Sequence, residues 1–257
     1  MASLAVIRAQ VESRLPGALT VCERPTPEVF PSGIAELDRQ IGGIPQGALT
    51  QIHASESHSS GKSALLISLM SQVTRREQFC ALVDAGDCFD PASAEDAGVN
   101  LARVLWVRCS TKKRFHPGKP KPGLWGPMEQ AFKAADILVQ NGGFGLIAVD
   151  LSDVSEKLVR KVPLTTWFRF TRVVEKMPAA LVFLLSCPAA QSCAGLTLHL
   201  DCAEPEWSST EKTGSGKISH AQFLSQLRCE VEIGRSRMPK PVQSTTRPKF
   251  AVPPIWA

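Results

Sequence analysis

The segment Ser59-Ser60-Gly61-Lys62-Ser63 lies between the apolar run Ala48-Leu49-Thr50-Gln51-Ile52 and a helical pattern that extends from Ala64 to Val73. This order predicts a phosphate-binding loop that joins a strand to a helix. In such a loop, backbone N–H groups surround the phosphates, a lysine contacts the β and γ oxygens, and a Ser or Thr hydroxyl ligates Mg²⁺. Gly61, Lys62 and Ser63 have the residue types that these roles require.

The motif is incomplete on its N-terminal side. The full pattern has a glycine five positions before Gly61, where this chain has Glu56, and no glycine occurs between Gly47 and Gly61. Two hypotheses therefore remain open. In the first, Lys62 binds a nucleotide or another phosphate; in the second, Lys62 is only a surface or helix-capping lysine in a relic loop.

Length and composition are typical of one large α/β domain with short appendages. The chain has 257 residues, of which 44% are hydrophobic and 21% charged. No uninterrupted apolar stretch approaches the roughly 18 residues of a membrane span, so we expect no membrane association. The N-terminus has no basic segment before an apolar core, which argues against a secretion signal and predicts a cytoplasmic protein.

Eight cysteines are distributed along the chain without the spacing of a metal site. Four of them, Cys80, Cys109, Cys187 and Cys229, lie in or beside apolar runs, which favours buried free thiols over disulfides or metal ligands. The five histidines also show no ligand spacing. We therefore expect no zinc site.

Basic residues are concentrated in two segments that contain no acidic residue. The formal net charge is only +5, but neither the segment between Asp96 and Glu129 nor the chain after Glu232 contains Asp or Glu. The candidate contacts there for single-stranded DNA or an acidic partner are Arg108, Lys112, Lys113, Arg114, Lys119, Lys121, Arg235 and Arg237. The alternative is that both segments form a solvated surface.

Alternating strand-like and helix-like segments predict a mainly parallel sheet covered by helices. Strands are predicted near 48–53, 79–84, 103–107, 144–149 and 180–186, and helices near 33–41, 62–76, 127–141 and 163–176. Segments 196–200 and 227–233 alternate with period two, which predicts an antiparallel pair at one sheet edge, separated by a polar loop at 203–220. A short helix is predicted from Leu4 to Arg14.

The predicted organisation has four parts. Residues 1–30 form the N-terminal helix and a Pro-rich linker, and residues 31–202 form the α/β core. Residues 203–237 contain the polar loop and the C-terminal strand, and residues 238–257 form a Pro-rich basic tail.

Several segments in colinear order resemble the ATPase core of RecA-type recombinases. They are Pro31 to Asp38, Gly42 to Thr50, Ser59 to Ser63, Ala81 to Pro91, Ala97 to Asn100, Leu105 to Val107, and Leu146 to Asp150. The resemblance extends over roughly residues 30–200. It implies a RecA-like P-loop core that takes ATP and Mg²⁺, with Ser59 to Ser63 at the nucleotide. It also assigns Lys62 to the phosphates, and Ser63 and Asp150 to the metal.

The departures from that family concern hydrolysis and DNA binding. Where RecA-type ATPases have a water-positioning glutamate after the second strand, this chain has Gly86, followed by Asp87. Ser186 or Cys187 replaces the glutamine that senses the γ-phosphate. The loops that bind DNA in that family, after Asp150 and after the sensing strand, are predicted to be short here, because Pro163 and Gly195 follow these strands at a short distance in the sequence. These changes predict weak ATP hydrolysis or none.

This combination resembles the ImuA-type proteins of bacterial mutagenesis cassettes. The resemblance implies an accessory of damage-induced translesion synthesis. Its partners would be RecA, an inactive Y-family polymerase homologue, an error-prone C-family polymerase and, as a further expectation, single-stranded DNA. The basic ending from Arg228 to Arg237 is a looser match to the same family.

Two alternatives remain open. The first is a divergent recombinase paralogue with DNA-stimulated ATP hydrolysis, in which Asp87 would position the attacking water. The second is a relative of the RecA-fold proteins of cell division or circadian timing, which would assemble into rings or filaments.

Overall fold

The computed structural model of the protein describes residues 4–16, 28–54, 60–109, 126–208, 223–236 and 249–252. The helices in these ranges are α1 (Leu4–Arg14), α2 (Ala35–Ile41), α3 (Lys62–Arg75), α4 (Pro91–Asp96), α5 (Gly126–Asn141), α6 (Glu156–Val159) and α7 (Leu164–Val174). The strands are β1 (Val29–Phe30), β2 (Ile44–Pro45), β3 (Ala48–Ala54), β4 (Cys80–Asp84), β5 (Val104–Arg108), β6 (Leu146–Asp150), β7 (Ala180–Leu185), β8 (Leu196–Ser208), β9 (Phe223–Ser236) and β10 (Lys249–Val252).

Eight of these strands form one sheet in the order β10-β9-β8-β3-β7-β6-β4-β5. The strands from β8 to β5 in this order are parallel to one another, whereas β9 and β10 are antiparallel additions at one edge. The predicted fold class, a mainly parallel α/β sheet with an antiparallel edge, is confirmed. Because parallel strands end at the same edge of a sheet, the carboxyl ends of β3, β7, β6 and β4 bring their following loops together.

Each face of the sheet is covered by helices, as the apolar strand sequences predict. Helix α3 packs Leu65, Leu69 and Met70 onto one face. On the other face, α5 and α7 bury a group of aromatic rings in which the centroids of Trp167 and Phe183 are 5.0 Å apart. The sheet is therefore packed between two apolar cores, one on each of its faces.

The C-terminal hairpin differs from its sequence-based prediction. Residues 203–208 were expected to be loop, but β8 continues to Ser208 and pairs with β9, with Trp207 opposite Leu224. The pairing has register shifts at three places, and such bulges let a strand continue through a sequence with poor alternation. The prediction of a loop was wrong for 203–208, and residues 209–222 lie outside the described ranges.

Helix α1 forms where the sequence predicts it. Its apolar residues Val6 and Ile7 are each 49% exposed. None of the helices in the described ranges has the length and apolar character needed to cross a bilayer.

Candidate nucleotide site

Gly61 directly precedes the first residue of α3, and two constraints favour glycine there. Its φ is +76°, in the left-handed region, and a Cβ would lie 2.4 Å from the Cys229 sulfur on β9. The first constraint is the usual one for a phosphate loop, but the second comes from the C-terminal hairpin. The predicted nucleotide contact Ser60 is half-buried beside it, and Ser59 lies outside the described residues.

Lys62 lies across the carboxyl ends of the central strands. Its Nζ donates a hydrogen bond to the Leu185 carbonyl oxygen at 3.2 Å. Burial lowers the pKa of Lys62, while the negative charges of Asp150 and Asp153 oppose that change. Ser63, in the next position of α3, is exposed. A half-buried cation with neighbouring helix N–H groups suits phosphate binding.

Asp150 ends β6 and lies opposite Asp84 of β4 in the sheet register. The Asp150 Oδ1 accepts a hydrogen bond from the Ser152 N–H at 2.9 Å, and burial raises the pKa of Asp150, with Asp84 and Asp153 adding to the increase. Asp84 is buried, and its Oδ2 accepts from Phe89 N–H and the Trp106 indole.

The chemistry of these groups fits a hard cation. Within the described ranges no three acidic, His or Cys side chains are grouped so that they could hold a metal ion by themselves, but carboxylate and hydroxyl oxygens, the ligands that Mg²⁺ prefers, are present at Asp150 and Ser63. The Asp84 Oδ1 is buried without a hydrogen-bond partner among the described residues. Ser63 and Asp150 thus keep the side-chain types that the motif assigns to Mg²⁺, and their role as its ligands stays a prediction.

Around Gly86 the structure gives an arrangement that sequence reasoning missed. Asp87, the suggested substitute acid, has a φ of +58° and binds Arg108 through both carboxylate oxygens, at 2.5 and 2.8 Å. Asp153 lies over Gly86 instead, with its Oδ2 at 2.2 Å from the position of a Cβ on residue 86. The only sequence signal for Asp153 is its place in the loop after β6.

The position of the γ-phosphate sensor is also altered. The Ser186 hydroxyl donates to the Val154 carbonyl oxygen at 3.0 Å, which ties the end of β7 to the loop after β6. Cys187 is buried, and burial raises the pKa of its thiol. Neither side chain offers the amide group that the sensing role uses in the resembled family.

The connection from β7 to β8 is a packed segment held by a buried glutamine. The Gln51 Oε1 accepts from Ala189 N–H at 3.2 Å and from Ala190 N–H at 2.9 Å, and its Nε2 donates to the Thr197 hydroxyl at 3.3 Å. Thr171 adds a hydrogen bond to the Cys193 carbonyl oxygen at 3.1 Å. These contacts fix the shape of residues 186–195.

Two residues of the predicted surface for DNA or a partner, Arg108 and Arg235, lie within the described ranges, and they are on different parts of the sheet. Arg108 is on the edge strand β5, where it stacks over Trp106 and binds Asp87. Arg235 is exposed on β9, near the opposite edge of the sheet. The other residues of the predicted partner surface, Lys112, Lys113, Arg114, Lys119, Lys121 and Arg237, lie outside the described ranges.

A cleft of about 470 Å³ opens beside these strand ends, and its lining includes His53, Arg160 and Cys187. The ring centroids of His53 and His199 are 4.7 Å apart. Burial, followed by the charges of His199 and Lys62, lowers the pKa of His53 to about 4. His53 is therefore neutral at pH 7.

We expect the stability of the protein to fall as the pH falls from about 6.5 to about 4. In that window the unfolded chain protonates His53 while the folded protein does not, so acidification favours unfolding. The groups facing His53 are His199, Lys62 and Asp201. Urea unfolding at several pH values would measure the slope. It should be smaller in His53→Gln, and an unchanged slope in that variant would contradict the assignment.

The fold and the site together define an α/β protein of the strand, loop and helix type, with a half-buried lysine at the start of α3 near a carboxylate at the end of β6. Residues 18–161 match the family model of the RecA N-terminal domain, and the chain belongs to the RecA family. It is similar to the RecA proteins of Methylococcus capsulatus (34% identical over 125 residues, 48% of this chain and 31% of the relative) and Ectopseudomonas oleovorans (36% over 110 residues, 43% and 26%). The RecA protein of Treponema pallidum is 28% identical over 173 residues, 61% of this chain and 38% of the relative. The chain thus spans about a quarter to two fifths of the length of these relatives.

Proposed function

We propose that the protein is a nucleotide-binding accessory of DNA-damage-induced mutagenic translesion synthesis, of the ImuA type, that binds ATP with Mg²⁺ and hydrolyses it slowly or not at all. The observation that carries this proposal is Gly86, which has no side chain where the RecA-type core has its water-positioning glutamate, in a site that retains Lys62, Ser63 and Asp150. This loss concerns turnover, whereas Lys62, Ser63 and Asp150, which would bind the nucleotide and the metal, are retained.

The binding role follows from the geometry of α3 and β6. Among the described residues, Lys62 has a backbone carbonyl and two nearby carboxylates to offset its burial, so phosphate oxygens would be stronger partners for its cation. Ser63 and Asp150 would hold Mg²⁺, which would neutralise part of the negative charge of the phosphates. The N–H groups of the first turn of α3 complete the phosphate contacts.

The low turnover follows from the residues around Gly86. Hydrolysis needs a group that orients water for attack on the γ-phosphorus, and loss of such a group lowers the rate by orders of magnitude. Asp87 is held by Arg108.

The accessory role requires surfaces for RecA and for the polymerases of the cassette, and two features support it. Strand β5 is an edge of the sheet, and Leu105 in its centre is 45% exposed. An exposed edge can accept a strand from another protein. Helix α1 adds exposed Val6 and Ile7. We place this function in the cytoplasm, with Arg108 and Arg235 as contacts for DNA or a partner.

A second candidate function is a RecA paralogue with DNA-stimulated ATP hydrolysis, and the identity of 34% to a RecA protein favours it. The packed segment 186–195 argues against it, because Gln51 and Thr171 already hold the backbone that a DNA-binding loop would have to move.

Titration calorimetry with ATP and a non-hydrolysable analogue, followed by phosphate release with and without single-stranded DNA, tests the nucleotide role. We expect ATP binding with little phosphate release, and single-stranded DNA should not increase the rate of phosphate release. Strong stimulation that is lost in Lys62→Ala would favour the paralogue. Absence of binding would leave the fold as an interaction scaffold with a relic loop.

A pull-down of RecA and of the two cassette polymerases by the tagged protein tests the accessory role. We expect retention of RecA or a polymerase, and reduced retention by Leu105→Asp. The control variant is Ile137→Asp on α5, which makes the same kind of change at an exposed apolar residue away from the strand edge. Failure to retain any of the three proteins would contradict the accessory role.

A further inference from the structure

We propose that Asp153 occupies the space of the missing residue-86 side chain and thereby keeps the water-positioning part of the nucleotide site closed. This inference rests on the proposed nucleotide-binding function. It assigns to residue 153, on the loop after β6, control over turnover that the resemblance to RecA-type ATPases would give to residue 86, on the loop after β4.

The contact between the two loops is close. A Cβ on residue 86 would lie 2.2 Å from Asp153 Oδ2, 3.1 Å from its Cγ and 3.2 Å from its Cβ. Rotation of the Asp153 side chain would remove the first two conflicts but leave the third. Any side chain at residue 86 therefore requires both a new rotamer at Asp153 and a small shift of the loop.

Asp153 is held in this place by a second contact on the same loop as Gly86. The Cys88 thiol donates to Asp153 Oδ2 at 2.9 Å. That hydrogen bond is the main reason why the pKa of Cys88 is raised to about 11. Because Cys88 is exposed, its reactivity reports whether Asp153 remains in position.

The location of the carboxylate explains why it blocks rather than replaces the glutamate. Asp153 Oδ2 lies 2.2 Å from the position that a Cβ on residue 86 would take. A glutamate at residue 86 would carry its carboxylate beyond that Cβ position, by the length of its Cγ and Cδ. Misplacement of a catalytic group by about 1 Å already costs about 100-fold in rate.

The negative charge of Asp153 should also disfavour an occupied nucleotide site. It is close enough to raise the pKa values of both Lys62 and Asp150. In the nucleotide complex this carboxylate would face the phosphates at the same strand ends, where like charges repel. Its removal should therefore strengthen nucleotide binding.

The decisive experiment compares the wild type with Gly86→Glu, Asp153→Ala and the double variant. In hydrolysis, water adds to the γ-phosphorus as the bond to the bridging oxygen breaks, which gives ADP and phosphate. We expect Gly86→Glu alone to give little gain in phosphate release, because Asp153 stands in its way. The double variant should exceed the wild type by at least about tenfold.

Two outcomes would overturn the proposal. One is a loss of phosphate release in Asp153→Ala, which would make Asp153 itself the hydrolytic acid. The other is an equal gain in Gly86→Glu with and without Asp153→Ala, which would show that the two positions are independent.

A readout that needs no nucleotide separates this inference from the proposed function. The rate of Cys88 modification by a thiol reagent at pH 8 should rise by about tenfold or more in Asp153→Ala and in Gly86→Ala, since the thiol loses its acceptor. Cys88→Ser gives the background of the other cysteines. Unchanged labelling would contradict the Asp153 contact, whereas increased labelling without ATP binding would contradict only the nucleotide role.

Discussion

Replacement of Lys62 with alanine is expected to weaken ATP binding by about 100-fold. Hydrogen bonds to charged groups contribute about 1.5–3 kcal/mol each, and 1.4 kcal/mol corresponds to a factor of ten in affinity. Lys62 is a half-buried cation whose Nζ lies at the carboxyl end of β7, near Asp150 at the end of β6. Titration calorimetry with the non-hydrolysable analogue measures the loss without interference from turnover.

The matched control is Lys133→Ala on α5. Lys133 is exposed and forms a surface ion pair with Glu129 at 2.8 Å, so its removal deletes the same charge away from the strand ends. Such pairs contribute little, and affinity for ATP should remain at the wild-type value. Equal affinities of Lys62→Ala and the wild type would support the relic-loop hypothesis instead.

Replacement of Gln51 with leucine should lower the free energy of unfolding by about 2–5 kcal/mol. Leucine has a similar volume but leaves the Ala189 and Ala190 N–H groups without their acceptor, and each unpaired buried group costs about 1–3 kcal/mol. Urea unfolding measures the loss. Hydrogen exchange of residues 186–195 should show that this segment loses protection before the rest of the sheet.

Gln130→Leu, at an exposed position of α5, is the control for the same chemical change. Surface substitutions usually alter stability by less than about 0.5 kcal/mol. A loss below about 1 kcal/mol in Gln51→Leu would mean that water or a backbone shift satisfies the two amides. The connection from β7 to β8 would then be free to move, which would favour the recombinase paralogue.

Apolar periodicity was sufficient to predict the central strands and their helices. Strand β4 was predicted at 79–84 and is Cys80–Asp84, and α3 was predicted at 62–76 and is Lys62–Arg75. These elements are buried on both sheet faces or on one helix face, so their sequences carry a strong local signal. Residues 203–208 had no such signal, because pairing with β9, distant in sequence, decides their conformation.

In the candidate site, too, some features follow from local sequence patterns and others depend on contacts between distant segments. The sequence by itself determined which residues are available to bind phosphate and Mg²⁺, since Lys62, Ser63 and Asp150 follow strands whose order along the chain is legible from local patterns. Only the tertiary structure decided that Asp87 is bound by Arg108, that Asp153 lies over Gly86, that Cys229 packs against Gly61, and that Gln51 holds residues 189 and 190. Each of these contacts joins loops or strands that are distant in sequence, and their distances depend on strand order and register, which no local pattern encodes.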